Sequence, residues 1–86
     1  MNTMLQDCVR AVNNQLSEMG FSVEIDEDYE FDTDDVGMYM PSEQSDVRCF
    51  PVAVNMDILN AEPNMQEELM MTLYHEAGHG IIEFLR

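Results

Sequence analysis

One long helix closes the chain, and everything before it has to supply the surface on which that helix packs. Asn64 offers an N-cap, Glu67 stands three residues later in capping-box position, and Glu67 and Glu68 bring negative charge to the positive end of the helix dipole. The expected helix runs from Met65 to Leu85. Placed at about 100° per residue, Met70, Leu73, Tyr74, Ala77, Ile81 and Phe84 share one side, the expected core face. Thr72, His75, Glu76 and His79 share the opposite side, so the helix is expected to separate a core face from a chemical one.

Upstream, Met4, Leu5, Cys8, Val9, Val12, Leu16 and Met19 recur at helical spacing, and Gly20 supplies a C-terminal stop. Phe21, Val23 and Ile25 then alternate with Ser22, Glu24 and Asp26, the period-2 pattern of a half-buried strand. Residues 26–35 carry seven carboxylates around Tyr29 and Phe31, and their mutual repulsion predicts a solvated loop or strand edge. Val36 to Met40 reads as a short strand stopped by Pro41. Val47 to Met56 reads as a third strand, which Pro51 would confine to an edge or a bulge. Asn55 to Asn64 is a connection with at most a turn of helix. The expected fold is α+β: an N-terminal helix, a small three-stranded sheet and the long C-terminal helix, in a single domain over residues 1–86.

With 45% hydrophobic residues the chain can form a core. In a chain this short the core alone contributes only about 3–5 kcal/mol, so a bound metal or a partner subunit would add appreciably to stability. Eighteen Asp and Glu face only Arg10, Arg48 and Arg86, with no lysine and a net charge of −15. Such a surface repels phosphate backbones and anionic membranes, which argues against direct nucleic-acid or membrane binding and for partners with basic surfaces. Cys8 and Cys49 stand far apart among apolar neighbours and are expected as free thiols in a reducing compartment. No signal peptide or membrane-length apolar segment is evident, and a cytoplasmic protein is expected.

His75 and His79 lie four residues apart, about 6 Å along a helix axis, so both imidazoles can reach one ion. Zinc takes imidazole nitrogen at about 2.0–2.1 Å and lowers the pKa of a bound water. Glu76, beside the first histidine, is placed to accept that water's proton as general base. The segment Leu73-Tyr-His-Glu-Ala-Gly-His-Gly-Ile81 resembles the active-site helix of the zincin metallopeptidases, and a preceding helix and short strands are similar to the minimal zincin core. The resemblance implies Zn2+ held by His75 and His79, with Glu76 as the base.

Zincins take a third ligand from beyond the active helix, and this sequence stops seven residues after His79. Glu83, the only carboxylate downstream, lies on the metal side but about 12 Å along the axis from His75, which makes it a weak candidate. The other sources are the acidic segment from Asp26 to Asp35 folding over the site, a second subunit in a homodimer, or the rest of a larger enzyme from which this chain is a piece. Calcium fits poorly: Asp26, Asp28 and Glu30 alternate as in an EF-hand loop, but no glycine takes the sixth position and Gly37 occupies the twelfth.

Two functions follow. In the first, the chain is a zinc metallopeptidase, or a remnant of one, whose acidic surface recruits basic protein substrates. In the second, it is a small acidic inhibitor of the phage type, presenting carboxylates in place of nucleic-acid phosphates to block a basic nucleic-acid-binding protein.

Overall fold

The computed structural model describes residues 2–86 and has the expected order of helix, three strands and helix, an α+β fold. The first helix, α1, spans Thr3–Ser17, capped at its start by Asn2, whose Oδ1 accepts from the Leu5 N–H at 3.1 Å. It stops two residues before Met19. Gly20 takes a φ of +83°, which permits the Phe21 N–H to reach the Leu16 carbonyl and its own N–H to reach that of Ser17. Leu5, Cys8, Val12 and Leu16 form its buried stripe.

Strand β1 is Ser22–Asp26, β2 is Gly37–Tyr39 and β3 is Cys49–Val54, in spatial order β1-β3-β2. β1 runs parallel to β3, pairing Val23 with Phe50 and Ile25 with Val52; β2 runs antiparallel, pairing Gly37 with Val54 and Tyr39 with Val52. Pro51 therefore lies in the central strand, contrary to the edge position expected for it. Its carbonyl accepts from the Met40 N–H at 2.8 Å, so the side where it lacks a donor faces β2 just past that strand's last residue. The ladder loses one bond at its end and none in its middle.

Both long helices pack on one face of the sheet. α1 lies against β1, the C-terminal helix α3 (Gln66–Leu85) lies against β2 and β3, and the helices touch each other. Val23, Phe50, Val52 and Val54 meet Leu5, Val12, Leu69 and Leu73 in the core, each fully buried leucine or phenylalanine worth about 1.5–3 kcal/mol. The connection after β3 is a fuller helix than expected, α2 (Met56–Ala61), anchored by buried Leu59. α3 starts from Met65 and not from an Asn64 capping box: no side chain caps it, and half-buried Met65, packed against the core, sets where the helix begins. No helix among the described residues is long and apolar enough to cross a membrane.

The segment between β1 and β2 is a loop with exposed carboxylates, as its repulsion predicts. It is nonetheless tied down: Asn55, nearly buried at the end of β3, donates through Nδ2 to the carbonyls of Thr33 and Asp35, and its N–H donates to Val36. Tyr29 and Phe31 pack edge to face at 4.9 Å.

Candidate metal centre

On α3 the residues that reach the core are Leu69, Leu73, Ala77 and Gly80, with Met70, Ile81 and Phe84 half-buried and Tyr74 exposed. The buried stripe is thus rotated from the face expected from side-chain hydrophobicity. The cause is Gly80, whose missing side chain leaves room for the Phe50 ring: a Cβ there would lie 2.5 Å from Phe50 Cδ1. The helix there lies directly against the Phe50 ring, with no side chain between them.

That rotation moves Glu76 to the border of the core. At about 100° per residue it sits close to the Leu69 and Leu73 directions and not opposite them. Its side chain is 16% exposed, and its Oε1 accepts the Tyr39 N–H at 3.0 Å. This N–H points outward from β2, away from β3. Asn13 does the equivalent service at the other edge, where its Oδ1 accepts from the Val23 N–H at 2.8 Å and its Nδ2 donates to the Val23 carbonyl. Each edge of the sheet is blunted by a helix side chain.

Further round α3 from Glu76, His75 and His79 stand in solvent with their Nε2 atoms 3.1 Å apart and their rings nearly perpendicular. Two zinc–nitrogen bonds of about 2.0–2.1 Å opened at a tetrahedral angle would place the nitrogens about 3.3 Å apart, so the pair fits a shared ion. Glu76 Oε2, the oxygen that Tyr39 does not hold, lies 4.0 Å from His75 Nε2. Ligand atoms of His75, Glu76 and His79 all fall within 4.8 Å of one another. Glu83 stays outside this group: its Oε1 pairs with Arg86 Nη1 at 2.9 Å, and it lines a separate recess with Tyr39, Gln44, Gly80 and Phe84.

A cleft beside His75 is lined by the end of the acidic segment and by residues of β2 and α3. Asp34, Asp35 and Gly37 form one wall and Glu68, Thr72, His75 and Glu76 the other. A Cβ at Gly37 would meet Thr72 Cγ2 at 3.0 Å and the Ala53 carbonyl at 3.1 Å, so glycine there lets β2 come close enough for Tyr39 to bond Glu76. The Tyr39 hydroxyl donates to Gln44 Oε1 at 2.5 Å, and burial, aided by the charge of Glu83, raises its pKa. Burial likewise raises the pKa of the Cys8 thiol, with Asp7 adding to the effect, which keeps that cysteine unreactive.

No family model, no curated protein and no solved structure matches this chain. The zincin resemblance therefore rests on the sequence of the helix segment and on the order of the elements before it.

Proposed function

We propose that the chain is a zinc-binding, zincin-like metallopeptidase in which His75 and His79 hold the metal and Glu76 is the general base. The supporting observation is the division of labour at Glu76: Oε1 is fixed by the Tyr39 amide while Oε2 faces the space beside two chelating imidazoles. When bound, zinc would lower the pKa of a water and polarise a peptide carbonyl. Glu76 Oε2 would take the proton of that water and deliver it to the leaving amine, and the Tyr39 amide would hold the carboxylate's plane while it does so. Basic polypeptides are the proposed substrates, drawn by a surface of net charge −15. The cytosol is the proposed compartment, consistent with two free cysteines.

The test is Glu76→Gln assayed with the wild type against basic proteins, alongside zinc content. The amide retains an oxygen for the Tyr39 N–H, so fold and metal should persist, while hydrolysis should fall by about 100-fold or more because an amide cannot accept the proton. Full activity in the variant would remove Glu76 from the role of base.

The exposed, Asn55-anchored carboxylate loop favours a second reading, the acidic inhibitor of a nucleic-acid-binding protein. Asp28→Asn, Glu30→Gln and Asp32→Asn together remove three exposed charges and should change stability by no more than about 0.5 kcal/mol. Association with a basic partner should slow markedly, and wild-type association should itself slow as salt screens charge over about 10 Å. A wild type that binds such a partner tightly but cleaves nothing would establish the inhibitor in place of the peptidase. Binding indifferent to both salt and the three substitutions would leave the loop as a solubility device.

A further inference from the structure

We infer that two copies of this chain pair through the outward face of α3, antiparallel and about a two-fold axis at Gly78. The pairing depends on neither the proposed metal site nor the peptidase reading.

α3 is apolar on two sides. Leu69, Leu73 and Ala77 enter the core, while Met71, Ile82 and Leu85 stand 66%, 60% and 75% exposed and Tyr74 38%. At about 100° per residue, Met71, Tyr74, Gly78, Ile82 and Leu85 fall within an arc of about 80° on the side away from the core. A surface helix ordinarily carries polar residues there, and one that is apolar on both sides is ordinarily covered on both. α1 shows the contrast: its exposed positions include Gln6, Asp7, Arg10, Asn14 and Gln15, and no large apolar side chain.

The order of residues along that arc is the one a second copy requires. Contact about a two-fold axis sets a patch against itself, so each side chain needs a partner as far beyond the axis as it lies before it. Met71 and Leu85 stand seven residues either side of Gly78, and Tyr74 and Ile82 stand four. In an antiparallel pair centred on Gly78, Met71 packs beside Leu85 of the partner subunit and Tyr74 beside Ile82 of the partner subunit. Gly78 has nothing of its own chain within 4 Å of the place a Cβ would take, which leaves the centre of the face bare.

The charges agree with the same register. Glu68 and Arg86 lie on one flank of the arc, ten residues before Gly78 and eight after it. The pairing brings Arg86 to within about 3 Å along the axis of Glu68 of the partner subunit, twice per dimer. Its in-chain partner Glu83 is exposed and holds it only weakly. Four apolar side chains from each copy, with the flanks beside them, bury on the order of 1,000 Å² in total, the smallest area expected of a specific interface, which suits a weak dimer. Repulsion between two chains of net charge −15 opposes the pairing and is relieved as salt screens it over about 10 Å. Self-association therefore strengthens with salt, whereas capture of a basic partner weakens.

The experiment is sedimentation equilibrium of the full chain with a metal chelator present, at low and high salt, for the wild type, Ile82→Glu, Asn14→Glu, Arg86→Gln and Arg10→Gln. Circular dichroism confirms that each is folded. The wild type should pass from one chain to two with rising concentration, and more readily at high salt. Ile82→Glu sets an unpaired carboxylate in the interface twice and should weaken pairing by about 100-fold or more. Asn14→Glu adds the same charge on the exposed side of α1 and should stay close to wild type. Arg86→Gln should weaken pairing about threefold relative to Arg10→Gln, which removes the same charge elsewhere. A wild type that is monomeric at every concentration and salt, or pairing that Ile82→Glu leaves unchanged, overturns the proposal. Equal effects of Arg86→Gln and Arg10→Gln overturn the antiparallel register. A monomeric wild type that binds a basic amphipathic peptide, and loses it on Ile82→Glu, would give this face to such a partner in place of a second copy.

Discussion

Alanine at both His75 and His79 is expected to reduce bound zinc from one per chain to none and to leave the metal-free fold standing. The two imidazoles are exposed, so their removal should cost little packing, and alanine is the better helix former. What disappears is the linkage between metal and folding. Zinc at one hundred times its dissociation constant stabilises the folded chain by about 2.7 kcal/mol, which in a domain of this size raises the melting temperature by about 10–20 °C. The wild type should show that rise on adding zinc and lose it on chelation; the double variant should melt at the metal-free temperature under both conditions. A double variant that still gained the full rise from zinc would place the metal elsewhere.

The histidine pair was legible in the sequence because its geometry is local: four residues on a helix fix the spacing whatever the rest of the chain does. The environment of Glu76 was not. Its partner is a main-chain amide of β2, thirty-seven residues earlier, and no periodicity reports which way that N–H points. Pro51 failed as an edge signal for a related reason, since what a missing donor costs depends on whether the neighbouring strand extends past it, and β2 ends at Tyr39. The helical wheel went astray through Gly80. A wheel built on hydrophobic side chains gives glycine no weight, yet the position with no side chain is where α3 lies directly against Phe50. Helix order, the α1 stop at Gly20 and the solvated loop were readable because each follows from neighbours in the chain.

Two glycines two residues apart on α3 should consequently respond to alanine with opposite signs. Gly78 has nothing within 4 Å of the place its Cβ would take, so Gly78→Ala gains helix propensity without a clash and should stabilise by about 0.5–1 kcal/mol. Gly80 gains the same propensity, but its Cβ would fall 2.5, 2.6 and 2.9 Å from three ring atoms of Phe50. That ring cannot yield easily: it is fully buried, stacked on Phe21 at 5.4 Å and met edge-on by Tyr39 at 6.2 Å. Helix and sheet must part instead, and overpacking of this kind costs about 1–3 kcal/mol, so Gly80→Ala should be net destabilising and Gly80→Val more so. The displacement should register at Glu76 as well. Lifting α3 from β3 carries Glu76 away from β2, so the Tyr39 amide should exchange with solvent faster in Gly80→Ala than in the wild type, while Gly78→Ala leaves it protected. Equal thermal shifts in the two variants, or a Tyr39 amide equally protected in both, would mean that Gly80 does not set the approach of helix to sheet and that Glu76 reaches the strand by some other constraint.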